Sequence, residues 1–291
     1  MASLKELRTR ITSVKSTRQI TSAMKMVSAA KLKRAQDAIV QMRPYANKMK
    51  EILQNVSATL DSSEGVYSQE REVKNVLLVV ITSNRGLCGG FNSNVIKRTN
   101  LAIKEEFANA NVEILPIGKK AFDAFKNTEY MHKNEHLPKE YNSIFDNLDY
   151  EHVAPIAEAV MQRFVDGDYD KVMFVYNQFK NAATQIVQLE QFLPLVPEQT
   201  ETSSAQTEYI FQPSKDYIVE DLIPKSLKIQ LYKALLDSNA SEHGARMTAM
   251  HQATDNATEL INSLTLSYNK ARQAAITNEI LEIVAGAEAL N

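Results

Sequence analysis

Glycine and proline are nearly missing from both ends of this chain. Between Ser3 and Ser57 there is no glycine and one proline, Pro44; between Ser226 and Leu290 there is no proline, and the glycines are Gly244 and Gly286. With so little to break a helix or free the backbone into turns, both stretches are expected to be long helices. At 1.5 Å per residue the N-terminal one would run ~80 Å, more than a compact domain of this size needs. Pro44 removes one backbone donor and is expected to bend it locally.

Each stretch carries one apolar stripe. In the first, Leu4, Leu7, Ile11 and Val14 are followed by Ile20, Met24 and Val27, then by Ala35, Ala38, Met42, Tyr45, Met49, Ile52 and Val56. In the last, Ala257, Leu260, Leu264, Ser267, Ala271, Ala274, Asn278, Leu281 and Ala285 step by three and four, and small residues dominate. This is a heptad seam. Two such helices at opposite ends of one chain pair most simply with each other, as a long antiparallel coiled coil, although each could instead pack on another protein.

The middle reads as a small α/β domain. Asn75–Ile81 is a buried-strand run, and Asn92 is expected to cap a helix to about Phe107. Val112–Ile117 is a second strand, Gly118–Lys126 a short helix, and Tyr130–His136 an irregular third strand. Asp149 caps a helix to about Val165, and Lys171–Tyr176 and Thr184–Phe192 are two more strands. That order implies a mostly parallel, Rossmann-like sheet. The expected division is 1–57 for the N-terminal coiled-coil helix, 74–195 for the α/β domain, 196–214 for a flexible linker and 215–291 for the C-terminal helix.

Charge is unevenly spread. Residues 1–57 carry twelve Lys/Arg against three Asp/Glu, although the whole chain is at −2. A basic segment of this kind points to nucleic acid, an anionic membrane or an acidic protein surface. A single cysteine, Cys88, can form no internal disulfide and reads as a small buried residue in a tight turn. No run approaches the ~18 apolar residues of a membrane-spanning helix, and the N-terminus lacks the apolar core of a signal peptide.

The stretch T-S-N-R-G-L-C-G-G-F-N (82–92) follows a strand, where many proteins hold a phosphate. A P-loop needs a Gly-Lys-Ser/Thr ending, and none stands here; Gly86, Gly89 and Gly90 do not match G-x-G-x-x-G. The loop is read as a sharp strand-to-helix turn that offers Arg85 to a partner. His132 and His136 lack the H-E-x-x-H order and read as surface histidines. Asp146, Asp149 and Glu151 read as a solvated helix start. No set of residues emerges that would hold a metal or cofactor or run a reaction.

At both ends the residues resemble a known family. I-T-S-V-K-S-T-R-Q-I-T-S-A-M-K-M-V-S-A-A-K-L-K-R-A-Q (11–36) with R-P-Y-A (43–46), the 82–92 loop, S-E-H-G-A-R-M-T-A-M-H-Q-A-T-D-N-A (241–257) and Y-N-K-A-R-Q-A-A-I-T-N-E-I-L-E-I-V-A-G-A (268–287) are similar to the gamma subunits of F-type ATP synthases. The resemblance implies a rotor shaft inside a ring of alpha and beta subunits, with the epsilon subunit and the membrane-embedded c-ring at the α/β domain. It implies no enzyme activity of its own, no cofactor, no nucleic acid and no direct membrane insertion. The implied location is peripheral, on the cytoplasmic face of a bacterial inner membrane. It also places partner contacts at Arg272 and Gln273, which face a loop of the beta subunit, and at Met24 and Lys25, with Lys25 pointing away from the C-terminal helix. Chloroplast members carry an inserted cysteine pair that this chain, with Cys88 alone, does not have.

Readings from other classes are a coiled-coil adaptor or nucleic-acid-binding rod, and an α/β enzyme with helical arms. The basic helix interleaves few aromatics, which single-strand binding would favour, and salt-sensitive binding to nonspecific DNA would mark the rod. Titration of the purified chain with Mg-ATP should release no binding heat. A micromolar dissociation constant would overturn the reading of residues 82–92.

Overall fold

The computed structural model describes residues 3–57, 66–69, 71–195 and 215–288. The expected linker at 196–214, and the side chains of Ile52 and Val56, lie outside the described residues. In chain order the elements are α1 (Leu4–Ser57), β1 (Asn75–Ile81), α2 (Phe91–Leu101) with a π turn at Ala102–Glu106, β2 (Asn111–Ile117), α3 (Lys119–Phe125), a 3-10 turn at Ser143–Phe145, α4 (Tyr150–Val165), β3 (Lys171–Phe179), β4 (Gln185–Leu193) and α5 (Lys215–Glu288). They form two compact units, Met1–Ser28 with Arg246–Asn291, and Ala29–Ala245. The fold is thus mixed α/β, with a four-stranded sheet and a long helix at each end.

In the larger unit the sheet order is β2-β1-β3-β4. β1 pairs in parallel with β2 and β3, and β4 returns antiparallel to β3. β1 is apolar throughout because both its faces are covered. Leu77, Val79 and Ile81 point into a core shared with α4 and with Ile223, Leu227, Leu231 and Leu235 of α5. Val76, Leu78 and Val80 point the other way, onto Val95, Ala102, Phe107, Ala121 and Phe125. Side chains of a strand alternate faces, so one run of seven residues organises both cores. The first described turns of α5 therefore serve the sheet as a covering helix.

Local chemistry explains most boundaries. Asp149 caps α4 by accepting from the His152 amide at 2.9 Å. Asn92 does not cap: α2 starts at Phe91 with Gly90 at the cap position, and the Asn92 side chain is spent on the preceding loop. Tyr130–His136 is not a strand. Met131 makes one bridge to Ile114, and the ladder stops where the Asn134 side chain accepts from the His136 amide at 2.9 Å and closes a turn. His132, expected at the surface, is buried. Its Nε2 lies 3.0 Å from the Pro138 carbonyl, and burial lowers its pKa.

Gly118 links β2 to α3 at φ 102°, and a Cβ there would lie 2.2 Å from the Thr82 carbonyl oxygen. Gly118→Ala combines left-handed strain with a backbone clash and should cost about 2–4 kcal/mol in urea unfolding. Gly86→Ala, with nothing within 4 Å of its Cβ, should shift stability by less than about 0.5 kcal/mol. Similar effects for the two would contradict the tight β2–α3 junction.

Candidate functional site

The smaller unit is a helix pair. On α1 its covered positions include Leu4, Leu7, Ile11, Val14, Arg18, Thr21, Lys25 and Ser28, which alternate by three and four, with Ser22 and Met24 half-buried beside them. On α5 they include Met250, Thr254, Ala257, Ile261, Leu264, Tyr268, Ala271 and Ala275. Thr21 Oγ1 lies 2.8 Å from Thr254 Oγ1, and Lys25 Nζ lies 3.2 Å from His251 Nδ1. One helix ascends as the other descends, so the pair is antiparallel.

The seam follows its apolar letters only in part: Leu4, Leu7, Ile11, Val14, Met24, Ala257, Leu264 and Ala271 are covered as expected. Ile20 and Val27, expected in it, are 59% and 57% exposed, and Leu260 is 48% exposed. Ser267 and Ala274 are exposed as well. In its middle the heptad instead passes through polar residues, two of which also bond along their own helices. Thr21 Oγ1 donates to the Arg18 carbonyl at 3.1 Å, and Thr254 Oγ1 reaches the Met250 carbonyl at 2.7 Å. An alternation of hydroxyls carries no hydropathy signal, so only strict spacing counted from Leu4 could have found it. Lys25 falls on that spacing, and it turns toward α5 rather than away from it. In the larger unit the same phase shift buries Ile39 and Ala46 and leaves Tyr45 exposed.

Of the candidate contacts, Met24 and Lys25 are half-buried, and Arg272 and Gln273 are exposed on α5. Beyond Ala275 every α5 residue through Ala287 is exposed, including Asn278, Leu281 and Ala285, which were expected in the seam. Ile276, Ile280, Leu281, Ile283 and Val284 form an uncovered apolar tip. The structure thus sets Lys25 against His251, with Met24 half-buried next to it in the chain, and Arg272 and Gln273 next to that tip along α5. Arg85 lies in the other unit.

There, residues 82–92 sit at the C-terminal ends of β1 and β3, where the strand order reverses and where open α/β sheets bind ligands. This crevice is filled by the chain itself. Asn92 Oδ1 accepts from the Ser83 amide at 3.0 Å, and Asn92 Nδ2 donates to Cys88 Sγ at 3.2 Å. Cys88 is buried with Phe91 and Ala245. The first amides of α3 are also taken: Lys119 N donates to Asn84 Oδ1 at 3.0 Å, Lys120 N to the Ser83 carbonyl at 3.1 Å and Ala121 N to Thr82 Oγ1 at 2.8 Å. These are the donors a phosphate would use. Arg85 and Leu87 stand outward on the loop, Leu87 at φ 61°.

Two other polar groups are structural. Asp149 accepts from His152 at 2.7 Å, and that hydrogen bond holds its carboxyl below the ordinary range, as a helix cap rather than an acid–base pair. Asp237 is fully buried on α5. Its Oδ1 lies 3.4 Å from Arg43 Nη2 and its Oδ2 has no hydrogen-bond partner among the described residues. Burial pushes its pKa up, and Arg43 opposes this only in part.

Paired helices that end in an uncovered apolar tip, joined to an α/β domain whose ligand crevice is closed by its own side chains, define a coiled-coil stalk protein. A family model described as ATP synthase matches residues 3–290. The ATP synthase gamma chain of Flavobacterium johnsoniae is 64% identical over 292 residues, covering 100% of each chain. A chain of the Tetrahymena thermophila mitochondrial ATP synthase central stalk/c-ring structure is similar at 26% identity and TM-score 0.57, over 80% of this chain and 99% of that one. A chain of the Euglena gracilis mitochondrial ATP synthase shares the fold at 23% identity and TM-score 0.69, over 99% of this chain and 94% of that one. The chain belongs to the ATP synthase gamma chain family and is a non-catalytic stalk subunit.

An acid whose folded pKa is raised binds its proton more tightly when folded, so it costs stability as pH rises through that folded pKa. Asp237→Asn removes this titration while keeping an oxygen for Arg43. Its stability advantage over the wild type should be smallest below the ordinary aspartate range and widen toward neutral pH, as read by urea unfolding across that span. A constant gap would show that Asp237 is ionised at no cost.

Proposed function

We propose that the chain is the central rotor shaft of an F-type ATP synthase, turned by the c-ring and driving the catalytic sites of the alpha/beta hexamer through their conformations in sequence. The observation that carries this is the antiparallel helix pair of the smaller unit, whose α5 runs on past Ala275 into an apolar tip left uncovered by its own chain. Such a patch marks a surface made to be enclosed by a partner. Family membership supports the same role.

In this reading the shaft contributes shape and charge, not chemistry. Arg272 can bridge an acidic beta-subunit loop with two parallel hydrogen bonds, and Gln273 can add a neutral one. The basic α1 faces the ring with charges that solvent screens, so each contact is weak enough to break at every step. Lys25 is partly engaged by His251 at 3.2 Å, which leaves Met24 beside it to touch the ring. Arg85, on the outward loop, meets a subunit next to the α/β domain, where epsilon and the c-ring belong. No described helix is long and apolar enough to cross a membrane. Attachment at the cytoplasmic face of a bacterial inner membrane would then run through the c-ring.

Replacing both Arg272 and Gln273 by Ala should lower ATP turnover of the reassembled complex about ten-fold, the loss of one charge-assisted contact, with subunit stoichiometry unchanged. Full turnover in the assembled double variant would remove this pair from the mechanism.

A further inference from the structure

The end of β3 and the β3–β4 hairpin touch both long helices over a short stretch of the larger unit. From α1, Arg43 Nη2 donates to the Phe179 carbonyl at 3.2 Å and lies 3.4 Å from Asp237 Oδ1. From α5, Ser241 Oγ donates to the Asn177 carbonyl at 3.1 Å. Asn177 Nδ2 in turn donates to the Phe91 carbonyl at 3.1 Å, which ties the same point to the start of α2. One turn further, Gly244 lies so close to the hairpin that a Cβ would stand 3.1 Å from the Ala182 carbonyl oxygen and 3.2 Å from its Cα. Asn177 and Asp237 are 1% exposed and Ser241 is fully buried.

Asp237, Ser241 and Gly244 follow one another at turns of α5, on the face toward the hairpin. An apolar seam tolerates small sliding, because contact between hydrocarbon surfaces is non-directional. A buried polar joint does not. Shifting α5 by one residue moves it ~1.5 Å and rotates it by about a quarter turn. That would part Ser241 from Asn177, leave both unpaired out of water, and drive α5 backbone into Ala182.

We infer that this cluster of Arg43, Asn177, Asp237, Ser241 and Gly244 is the joint that fixes the two long helices to the α/β domain and passes torque between them. The inference rests on the rotor reading and goes beyond it by assigning positioning residues that hold the helices in register under load. These residues touch no reacting group. Loosening them should spare ATP hydrolysis and degrade its coupling to ion movement.

The test uses the complete ATP synthase reconstituted in vesicles, with hydrolysis, ion uptake per ATP against a rising opposing gradient, and stoichiometry read per assembled complex. Ser241→Ala alone and combined with Asn177→Ala should keep hydrolysis. Each lost buried hydrogen bond should raise slippage about five-fold, seen as fewer ions moved per ATP only at high opposing gradient. Gly244→Val, which pushes on the hairpin, should do the same. Ser238→Ala is the control: Ser238 is similarly buried on α5, but its hydroxyl has no hydrogen-bond partner among the described residues, and it should couple normally. Normal coupling by the Ser241 and Asn177 variants beside a pumping wild type would overturn the joint, as would equal uncoupling by Ser238→Ala. A wild-type complex that hydrolyses ATP without moving ions would instead fault the rotor reading.

Discussion

The face of the sheet that carries Leu77, Val79 and Ile81 has to be covered, and α4 alone does not cover it. The first described turns of α5, from Ile223 to Leu235, complete the layer. A long helix is thereby anchored by the core of an α/β domain before it goes on to anything else. Burial of Leu227, Leu231 and Leu235 to 1% or less draws on the same hydrophobic term that stabilises any domain interior. The polar contacts of Asp237 and Ser241 and the close approach of Gly244 to Ala182 then set the rotation and height at which the helix leaves. Hydrocarbon supplies the strength of the attachment, and hydrogen bonds supply its register.

The same helix closes the crevice. In open α/β sheets the point of strand-order reversal is left for a ligand, and binding there needs free amides and space. In this chain Cys88, Phe91 and Ala245 take the space and the side chains of Thr82, Asn84 and Asn92 take the amides. The crevice that open α/β sheets leave for a ligand is here a socket for a helix. The glycine-rich sequence after β1 looks like a phosphate loop because both uses demand the same tight turn out of a strand.

How much of this could be read from letters alone followed the strength of the local signal. The uniform apolar run of β1, the capping Asp149 and the breaker-free ends were all legible, because each reports a property of one segment. The seam of the smaller unit was legible only where its letters are apolar, from Leu4 to Val14 and at Ala257, Leu264 and Ala271. Its middle is built from Arg18, Thr21, Lys25 and Ser28, of which Thr21 meets Thr254 and Lys25 meets His251 across the pair, and the nearby apolar letters Ile20 and Val27 lie on an exposed face. Asn92 has the residue type of a cap, but tertiary demand from Ser83 and Cys88 took its side chain. The Arg43–Asp237 and Asn177–Ser241 contacts join residues 194 and 64 positions apart, a separation at which spacing says nothing.

The uncovered tip of α5 bears on how the protein comes into being. Ile276, Ile280, Ile283 and Val284 fall at intervals of four, three and one, so they share a flank of the helix, and Leu281 widens it. A freshly made chain shows this surface to every other chain around it, and clustering of like tips competes with enclosure by a partner. On the rotor reading proposed above, production is best matched to that of the subunits that would enclose the tip: made in excess, the chain would end in its own aggregates, and made in step, it would be sheathed as it appears.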